Sequence, residues 1–414
     1  MRMARGKAVT AASANSNPAK TFFFLQFCSL ILLQKVGLPA GAAQISIQIP
    51  LLYASIAYAA FFLNVEVSLI RLIIYCIFFT VALFSQMVSG QPFSITSFEI
   101  VLALYLPFIF VWRMSREDYL ECMKPFQNLM LLGGAMVLLQ VLWQVGTHYR
   151  SRISIEPLIP AALRLQGYLY EAPIHWGASF YRANGFFFLE PSSVSSFLAC
   201  AFIIEVSYFQ RPKRMLFYIV SMFATLAATG VVMLLIASPF LLMKLTPRMR
   251  VLAAAVGLLA IPVVLATGLG DVFLSRTTEL SNPGTSGSQR VAAPAAQILD
   301  ILPKPNILFT GQGAGNVDNS QSSVWGVVKL LDEYGGLTAI TFMIFLIFCM
   351  AGSSNMALFW PLFIVYNFTG GYLSYPPLIL LIMLLCSSAV VIDTPDRRPA
   401  LRAVGRRREA PAHT

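Results

Sequence analysis

Residues 215–243 read MLFYIVSMFATLAATGVVMLLIASPFLLM, an apolar run that contains no charged side chain. Basic residues flank the run on both sides: Arg211, Lys213, Arg214 and Lys244. A membrane-spanning helix needs roughly 20 apolar residues, so this run is too long for one crossing. We therefore predict two short spanning helices, 214–228 and 229–243, joined by a tight outer turn.

The rest of the chain has the same character. Of its 414 residues, 57% are hydrophobic and 11% are charged, whereas a soluble globular domain has roughly 25% charged residues. The predicted fold class is therefore an all-α polytopic membrane protein with about twelve transmembrane helices. The predicted spans lie near residues 21–36, 46–64, 68–88, 97–112, 127–147, 192–209, 214–228, 229–243, 251–266, 336–351, 355–369 and 374–392.

The distribution of Lys and Arg predicts the orientation. Basic clusters follow the fourth, sixth and eighth spans and also fill both tails, so they all lie on one side if the N-terminus is inside. The cytoplasmic tails are then 1–20 and 393–414, and the membrane domain is 21–392. Two long external loops result, at about 147–191 and 267–329. The net charge of +11 is thereby assigned to the membrane and not to a nucleic-acid partner.

The N-terminal segment allows a second interpretation. Residues 1–43 combine a basic start, an apolar run over 22–33 and the small residues 40–43, as in a cleaved signal peptide. We favour an uncleaved first span. The topology of the remaining chain is the same in both cases.

The predicted external loops carry several cations, although Lys and Arg generally accumulate on the cytoplasmic side of membrane proteins. Six of them are arginines: Arg150, Arg152, Arg164, Arg182, Arg276 and Arg290, with Lys304 as the seventh cation. A guanidinium group binds phosphate oxygens in pairs, so this set predicts a surface that binds a lipid-linked diphosphate. The alternative is contact with anionic headgroups, or ion pairs with Glu156, Glu171 and Glu279 of the same loops.

The segment 181–193, which reads YRANGFFFLEPSS, is the most informative part of these loops. Arg182 and Glu190 border an apolar span, where a charge is costly unless it is used. Gly185 permits a tight turn, and Pro191 is favoured in the first turn of a helix, whose N-terminus is partly positive. The segment therefore predicts an anion site with a carboxylate at its edge. An ordinary helix cap is the alternative for Glu190.

Four features in this order resemble the O-antigen polymerase and O-antigen ligase superfamily of bacterial polysaccharide assembly. The resemblance covers roughly residues 180–345, and its motifs are short. They are Arg182, Gly185, Phe186 and 190–192; Arg276 and 286–290; the glycine-rich turn Gly311, Gly313 and Gly315; and Glu333 with 334–335. The resemblance implies a GT-C-like, metal-independent glycosyltransferase in the bacterial inner membrane, without a cofactor. Its donor and acceptor would be isoprenoid-diphosphate-linked oligosaccharides, and a chain-length regulator or export machinery would be a possible partner.

We assign site residues on this basis. Glu190 is the expected catalytic base, and Arg182, Arg276 and Arg290 are expected to stabilise the leaving diphosphate. The expected substrate-binding residues are Arg150, Arg152, Arg164, Gly185, Gly311, Gly313, Gly315 and Glu333. Glu333 is also the second candidate for the base, or a brace for the tenth span. Glu156 and Glu171 are expected to matter less, because they lie in the middle of a loop without evident anchoring.

No metal site is expected. The first outer loop, 37–44, contains no acidic residue, and His148, His175 and His413 are too scattered for zinc. Ligases of the family carry a His-Asn pair where this chain reads NSQSSVW over 319–325, which favours a polymerase. A ligase, or a flippase for lipid-linked oligosaccharides, remains the alternative function.

Overall fold

The protein is mostly helical. The computed structural model describes residues 16–40, 43–62, 65–168, 170–171, 173–174, 178–245, 250, 288, 292–316, 325–352, 355–370 and 373–391. Several predictions therefore lie outside the described residues: the ninth span (251–266), most of both tails, and Arg276 and Arg290.

The structure gives the described helices the following bounds. In chain order they are α1 (Ser16–Leu32), α2 (Gln48–Phe62), α3 (Leu69–Ser89), α4 (Ile95–Tyr105), α5 (Arg116–Gly146), α6 (Pro191–Ile204), α7 (Pro212–Ala224), α8 (Ala228–Lys244), α9 (Ala293–Ile301), α10 (Pro305–Thr310), α11 (Gly326–Tyr334), α12 (Gly336–Met350), α13 (Met356–Phe368) and α14 (Pro376–Ile382). The short strands are β1 (Gly37–Ala40), β2 (Ala43–Ser46), β3 (Glu66–Val67), β4 (Phe110–Met114) and β5 (Ala389–Val391).

Within the described residues, three helical segments are long and apolar enough to cross a membrane by length and composition. They are Leu69–Ser89, Arg116–Gly146 and Pro191–Phe209, the last being α6 extended by one wider turn. The same part of the chain contains seven further apolar helices of 10–17 residues each. Helix α6 lies in the middle of the bundle with almost all of its side chains buried, whereas α3 and α5 expose many apolar side chains.

The run 215–243 forms two helices, as predicted. Helix α7 ends at Ala224 and α8 begins at Ala228, with Leu226 at a positive φ of 53° between them. The hydroxyl of Thr225 accepts a hydrogen bond from the backbone N–H of Ala227, 3.2 Å away, and so stabilises the turn. Gly230 lies inside α8, where it packs against Ser195 of α6.

Helix α5 begins earlier than predicted. The sequence suggested a basic loop up to residue 126, but the helix starts at Arg116 and buries Cys122. The cause is a capping interaction: the backbone N–H of Asp118 donates to the Ser115 hydroxyl oxygen (3.1 Å), and that hydroxyl donates to the Asp118 carboxylate (2.8 Å).

The apolar residues of the stretch 153–169 in the first external loop also suggest a short amphipathic helix along the membrane surface, but this expectation is wrong. Over the described residues 153–168 the helical structure consists of two short 3-10 turns, Glu156–Leu158 and Ala161–Leu163. Pro157 and Pro160 explain the difference, because each lacks the N–H donor that a continuous helix needs, and Ile159 before Pro160 is extended (φ −91°, ψ 121°).

The two ends of the bundle carry different structures. At one end, β3, β4 and β5 form a small sheet, and the buried guanidinium of Arg71 donates to the carbonyl oxygens of Phe108 (3.1 Å), Ser387 (2.9 Å) and Cys349 (3.1 Å). These carbonyls lie at the C-terminal ends of three helical segments, where a positive charge is favourable. Helices α1 and α3 both start near this sheet, so their C-terminal ends lie at the opposite end.

Candidate functional site

A cleft of about 920 Å³ opens in the segment between α5 and α6. Arginine, glutamate and tyrosine side chains contribute to its wall: Arg152, Arg164, Glu156, Glu171, Tyr168, Tyr170 and Tyr181. The segment is attached to the β1–β2 hairpin that follows α1. Arg164 forms an isolated bridge with Val36, and the backbone N–H of Gln166 donates to the side-chain oxygen of Gln44 at 2.8 Å. The cleft therefore lies at the end of the bundle away from the sheet.

Arg152 contacts two other side chains of the cleft wall. Its guanidinium forms an ion pair with Glu171 and stacks on the ring of Tyr181, 4.0 Å from the ring centroid. About two-fifths of each side chain of the ion pair remains exposed, so solvent screens the pair substantially. The predicted ion-pair alternative therefore applies to Arg152 in this structure.

Arg164 holds the wall of the cleft together. Its guanidinium donates to the backbone oxygens of Glu156 (2.7 Å) and Ile159 (3.3 Å). The two 3-10 turns are thereby fixed against each other. The Nε atom of Arg164 is buried and has no hydrogen-bond partner within the described part of the chain.

Glu156 is far better anchored than the sequence suggested. Its carboxylate forms an ion pair with Lys35, and both residues are buried, with 8% of Glu156 and 1% of Lys35 exposed. The Lys35 ammonium also lies 5.5 Å from the centroid of the Tyr170 ring. The expectation that Glu156 and Glu171 lack anchoring is wrong, since Lys35 and Arg152 hold them.

Two tyrosines of the cleft, Tyr168 and Tyr170, are neutral at physiological pH. Burial raises the pKa of Tyr170 to about 12, and burial together with the nearby Glu190 charge raises the pKa of Tyr168. The Tyr170 hydroxyl donates to the backbone oxygen of Leu165. These phenols can therefore only act as neutral hydrogen-bonding groups and as flat apolar surfaces.

Gly185 forms the predicted turn. It has a positive φ of 65°, and a Cβ atom here would lie 3.1 Å from the backbone oxygen of Gly133 in α5. Gln140 of the same helix binds the turn, accepting from the Gly185 N–H (2.8 Å) and donating to Asn184 (3.1 Å). This contact places Arg182 in a small side pocket that adjoins the cleft. Gln140 was not singled out from the sequence, although it is a polar residue inside an apolar span.

Glu190 precedes Pro191 at the start of α6. Its carboxylate accepts a hydrogen bond from the Ser192 hydroxyl at 2.9 Å and makes no side-chain cap to the helix backbone. Glu190 does not belong to the wall of the large cleft, but the nearby Tyr375 connects the start of α6 to it. The Tyr375 hydroxyl is hydrogen-bonded to that of Ser193 (2.5 Å), and its ring centroid lies 5.9 Å from that of Tyr168, which belongs to the wall. The structure thus places Arg182 and Glu190 beside the cleft. Arg150 is exposed and is not part of the cleft wall.

The glycine-rich turn and Glu333 form a second group. Gly311, Gly313 and Gly315 all have positive φ, and the N–H of Gly313 donates to the backbone oxygen of Glu333 at 3.1 Å. Gln86 at the end of α3 joins both, donating to the Glu333 backbone oxygen (3.1 Å) and accepting from the Ala314 N–H (2.7 Å). Because α3 ends away from the sheet, this group lies at the same end of the bundle as the cleft.

The Glu333 side chain is buried. The Lys329 ammonium lies 3.6 Å from one carboxylate oxygen, and burial raises the pKa of Glu333 despite this cation. Its neighbour Asp332 accepts hydrogen bonds from Gln297 and Gln312, the latter at 2.7 Å. The described hydrogen bonds of this group run to α3, α9 and residues 92 and 94, not to the cleft.

Neither a protein-family model nor a curated protein matches the sequence of this chain.

Proposed function

We propose that this chain is a polytopic membrane glycosyltransferase that polymerises a lipid-linked polysaccharide on the outer face of a bacterial inner membrane. The observation that supports it most is the polar cleft, which opens at one end of an otherwise apolar helix bundle. Arg182 and Glu190, the residues proposed to act on the diphosphate and the acceptor, lie beside this cleft. Clefts of several hundred Å³ with convergent polar groups are typical of ligand sites.

The surface of the bundle supports a membrane location. Large apolar side chains such as Phe61, Leu142 and Met243 are exposed, which is unfavourable in water when such residues form extended surfaces. Contacts among the described segments support the proposed orientation. Residues assigned to the cytoplasmic side meet each other, as Lys244 meets Asn355 (2.9 Å) and β4 pairs with β5. Loops assigned to the outside meet at the opposite end.

This topology has a direct test. A single cysteine at Ser151, in a variant without the native cysteines, should react with an impermeant thiol reagent in intact cells. A cysteine at Arg116 should react only after permeabilisation. The reverse pattern would contradict the proposed orientation.

The proposed reaction transfers a glycan between two lipid carriers. The acceptor hydroxyl oxygen forms a bond to the anomeric carbon of the donor glycan, while the bond from that carbon to the diphosphate oxygen breaks. The hydroxyl proton passes to a carboxylate, for which Glu190 is the first candidate and Glu333 the second. The diphosphate lipid leaves with the bonding electrons, and Arg182, together with Arg276 and Arg290, stabilises its developing charge.

The purified protein, reconstituted in nanodiscs and supplied with isoprenoid-diphosphate-linked repeat units, tests this function. A ladder of products that grows by one repeat at a time supports a polymerase. Transfer to a different lipid acceptor would instead indicate a ligase. Movement of the intact lipid across vesicles, without transfer, would indicate a flippase.

A further inference from the structure

The cleft wall combines charges that cancel. Arg152 and Arg164 contribute two positive charges, and Glu156 and Glu171 contribute two negative charges. Arg152 is already bound to Glu171, and Arg164 already donates to two backbone oxygens. A diphosphate placed here would have to displace these contacts and would face two carboxylates at close range. The cleft as a whole therefore lacks the excess positive charge that a diphosphate site requires.

Unsatisfied atoms in the wall point to a different ligand chemistry. Within the described residues, Oε2 of Glu156 has no hydrogen-bond partner, and neither has Nε of Arg164. An ionised carboxylate can only accept hydrogen bonds, and a guanidinium can only donate them. A phosphate oxygen cannot donate to the carboxylate, whereas a sugar hydroxyl can serve both groups, since it donates and accepts. Both atoms have almost no solvent-exposed surface, so a small rotation of their side chains must accompany binding. A hydroxyl that then bonds to them removes the free-energy cost of leaving buried polar atoms without partners.

The remaining wall has the surface that a sugar ring needs. Tyr168, Tyr170 and Tyr181 provide rigid rings that combine apolar faces with hydroxyl groups. A pyranose ring likewise has apolar C–H faces and polar edges. The volume of about 920 Å³ lies within the range of several hundred Å³ that is typical of small-ligand sites.

We propose that this cleft binds sugar rings of the lipid-linked glycan, with Glu156, held by Lys35, as a residue that recognises a sugar hydroxyl. The proposal rests on the proposed glycan polymerase and assigns its sugar-binding subsite. The diphosphate then binds elsewhere, beside Arg182. In this scheme Glu156 positions the glycan and takes no proton. The candidates for the catalytic base are still Glu190 and Glu333.

Binding in detergent micelles tests the proposal with two separate probes. The first probe is the oligosaccharide released by mild acid from lipid-linked repeat units, which has no diphosphate. The second is farnesyl diphosphate, which has no sugar. We expect the oligosaccharide to bind by titration calorimetry, and we expect farnesyl diphosphate not to displace it. Displacement at comparable concentrations would overturn the assignment.

Variants separate recognition from folding. Glu156→Gln alone leaves Lys35 buried without its partner, so the double variant Lys35→Met/Glu156→Gln is the informative protein. We expect it to keep the wild-type melting temperature within a few degrees, because both charges are removed together, but to bind the oligosaccharide at least about tenfold more weakly. Tyr170→Ala should weaken binding similarly, and Glu66→Gln, which breaks an exposed ion pair at the other end, should leave it unchanged.

The outcomes distinguish the two proposals. If the double variant is folded and binds the oligosaccharide as tightly as the wild type, Glu156 only stabilises the fold and the subsite assignment fails. Polymer formation by the wild-type protein would stand in that case. If the wild type forms no polymer from lipid-linked repeats, the proposed function fails, whatever the binding experiment shows.

Discussion

Lys35 and Glu156 form a buried ion pair, although 121 positions separate them in the sequence. The pair joins the end of α1 to the segment that carries the cleft. We predict that Lys35→Met lowers the free energy of unfolding by about 3–5 kcal/mol, because it leaves a carboxylate buried without its cation. Thermal unfolding in detergent micelles measures this change.

The exposed ion pair between Arg113 and Glu66 provides the control for this variant. Arg113→Met should change the free energy of unfolding by less than about 1 kcal/mol, since water screens the pair. Equal melting temperatures for Lys35→Met and the wild type would show that the buried pair does not hold the segment.

Arg182 is predicted to act on the leaving diphosphate. Arg182→Ala should reduce polymer formation about a hundredfold, which corresponds to roughly 3 kcal/mol of lost transition-state stabilisation. Arg182→Lys should restore only part of the activity, because an ammonium group lacks the planar fork. Arg276→Ala and Arg290→Ala should each reduce polymer formation by a similar factor. Chain-length analysis of the polymer is the measurement, and wild-type chain lengths in Arg182→Ala would refute the phosphate role.

Glu190 is predicted to take the proton of the acceptor hydroxyl. Glu190→Gln preserves shape but removes the base, so we expect nearly complete loss of transfer with intact binding of the donor lipid. The structure also suggests a purely structural role for Glu190, because its carboxylate accepts a hydrogen bond from the Ser192 hydroxyl at the start of α6. The side-chain oxygen of Gln can still accept this hydrogen bond, so for a purely structural role the substitution should cost no more than about 1 kcal/mol. A rate reduced less than about tenfold would therefore identify Glu190 as a brace for the start of α6.

Local signals in the sequence predicted local structure well. The apolar run 215–243 was too long for one span, and it does divide into two helices. Gly185 does form a turn, and Pro191 does begin a helix. The glycine-rich turn and Glu333, chosen together on a resemblance, do lie in contact. Each of these features depends on backbone properties of a few consecutive residues.

Contacts between segments that are distant in the sequence could not be predicted from such local signals. Nothing near Lys35 indicates that its partner is Glu156, because the pair depends on how the loop folds back onto the β1–β2 hairpin. Gln86 and Gln140 likewise acquire their roles only when other segments reach them. The early start of α5 could have been predicted from the Ser115 and Asp118 spacing, but the basic residues there suggested a loop.

Gly311 allows a test of the contact between the two motifs. A Cβ atom at this position would lie 2.5 Å from the carbonyl carbon and oxygen of Glu333, and the residue has a positive φ of 76°. Its ψ is 178°, and this combination of φ and ψ is essentially restricted to glycine. Gly311→Ala should therefore lower stability by more than the roughly 1–3 kcal/mol that such a backbone conformation costs an ordinary residue.

Gly90 provides a control for the positive φ without close packing. Its φ is 64° and its ψ is 4°, and no atom of the described residues lies within 4 Å of a Cβ at this position. Gly90→Ala should thus show the cost of an ordinary left-handed position in open space, which is smaller than the cost expected at Gly311. If the two variants melt at the same temperature, the glycine-rich turn is not closely packed against Glu333.

Glu333 is predicted to make stability depend on pH. Burial raises its pKa in the folded protein above that of the unfolded chain, so folding favours the protonated carboxyl. Stability from this group is fully present below the unfolded pKa and is lost as pH rises through the folded pKa. Glu333→Gln mimics the protonated form at every pH. The variant should therefore melt at a higher temperature than the wild type near about pH 8, and the difference should shrink as pH falls towards about 5. A difference that stays constant over this range, or a variant that melts lower at high pH, would show that Lys329 keeps Glu333 charged in the folded state and that its pKa is not raised.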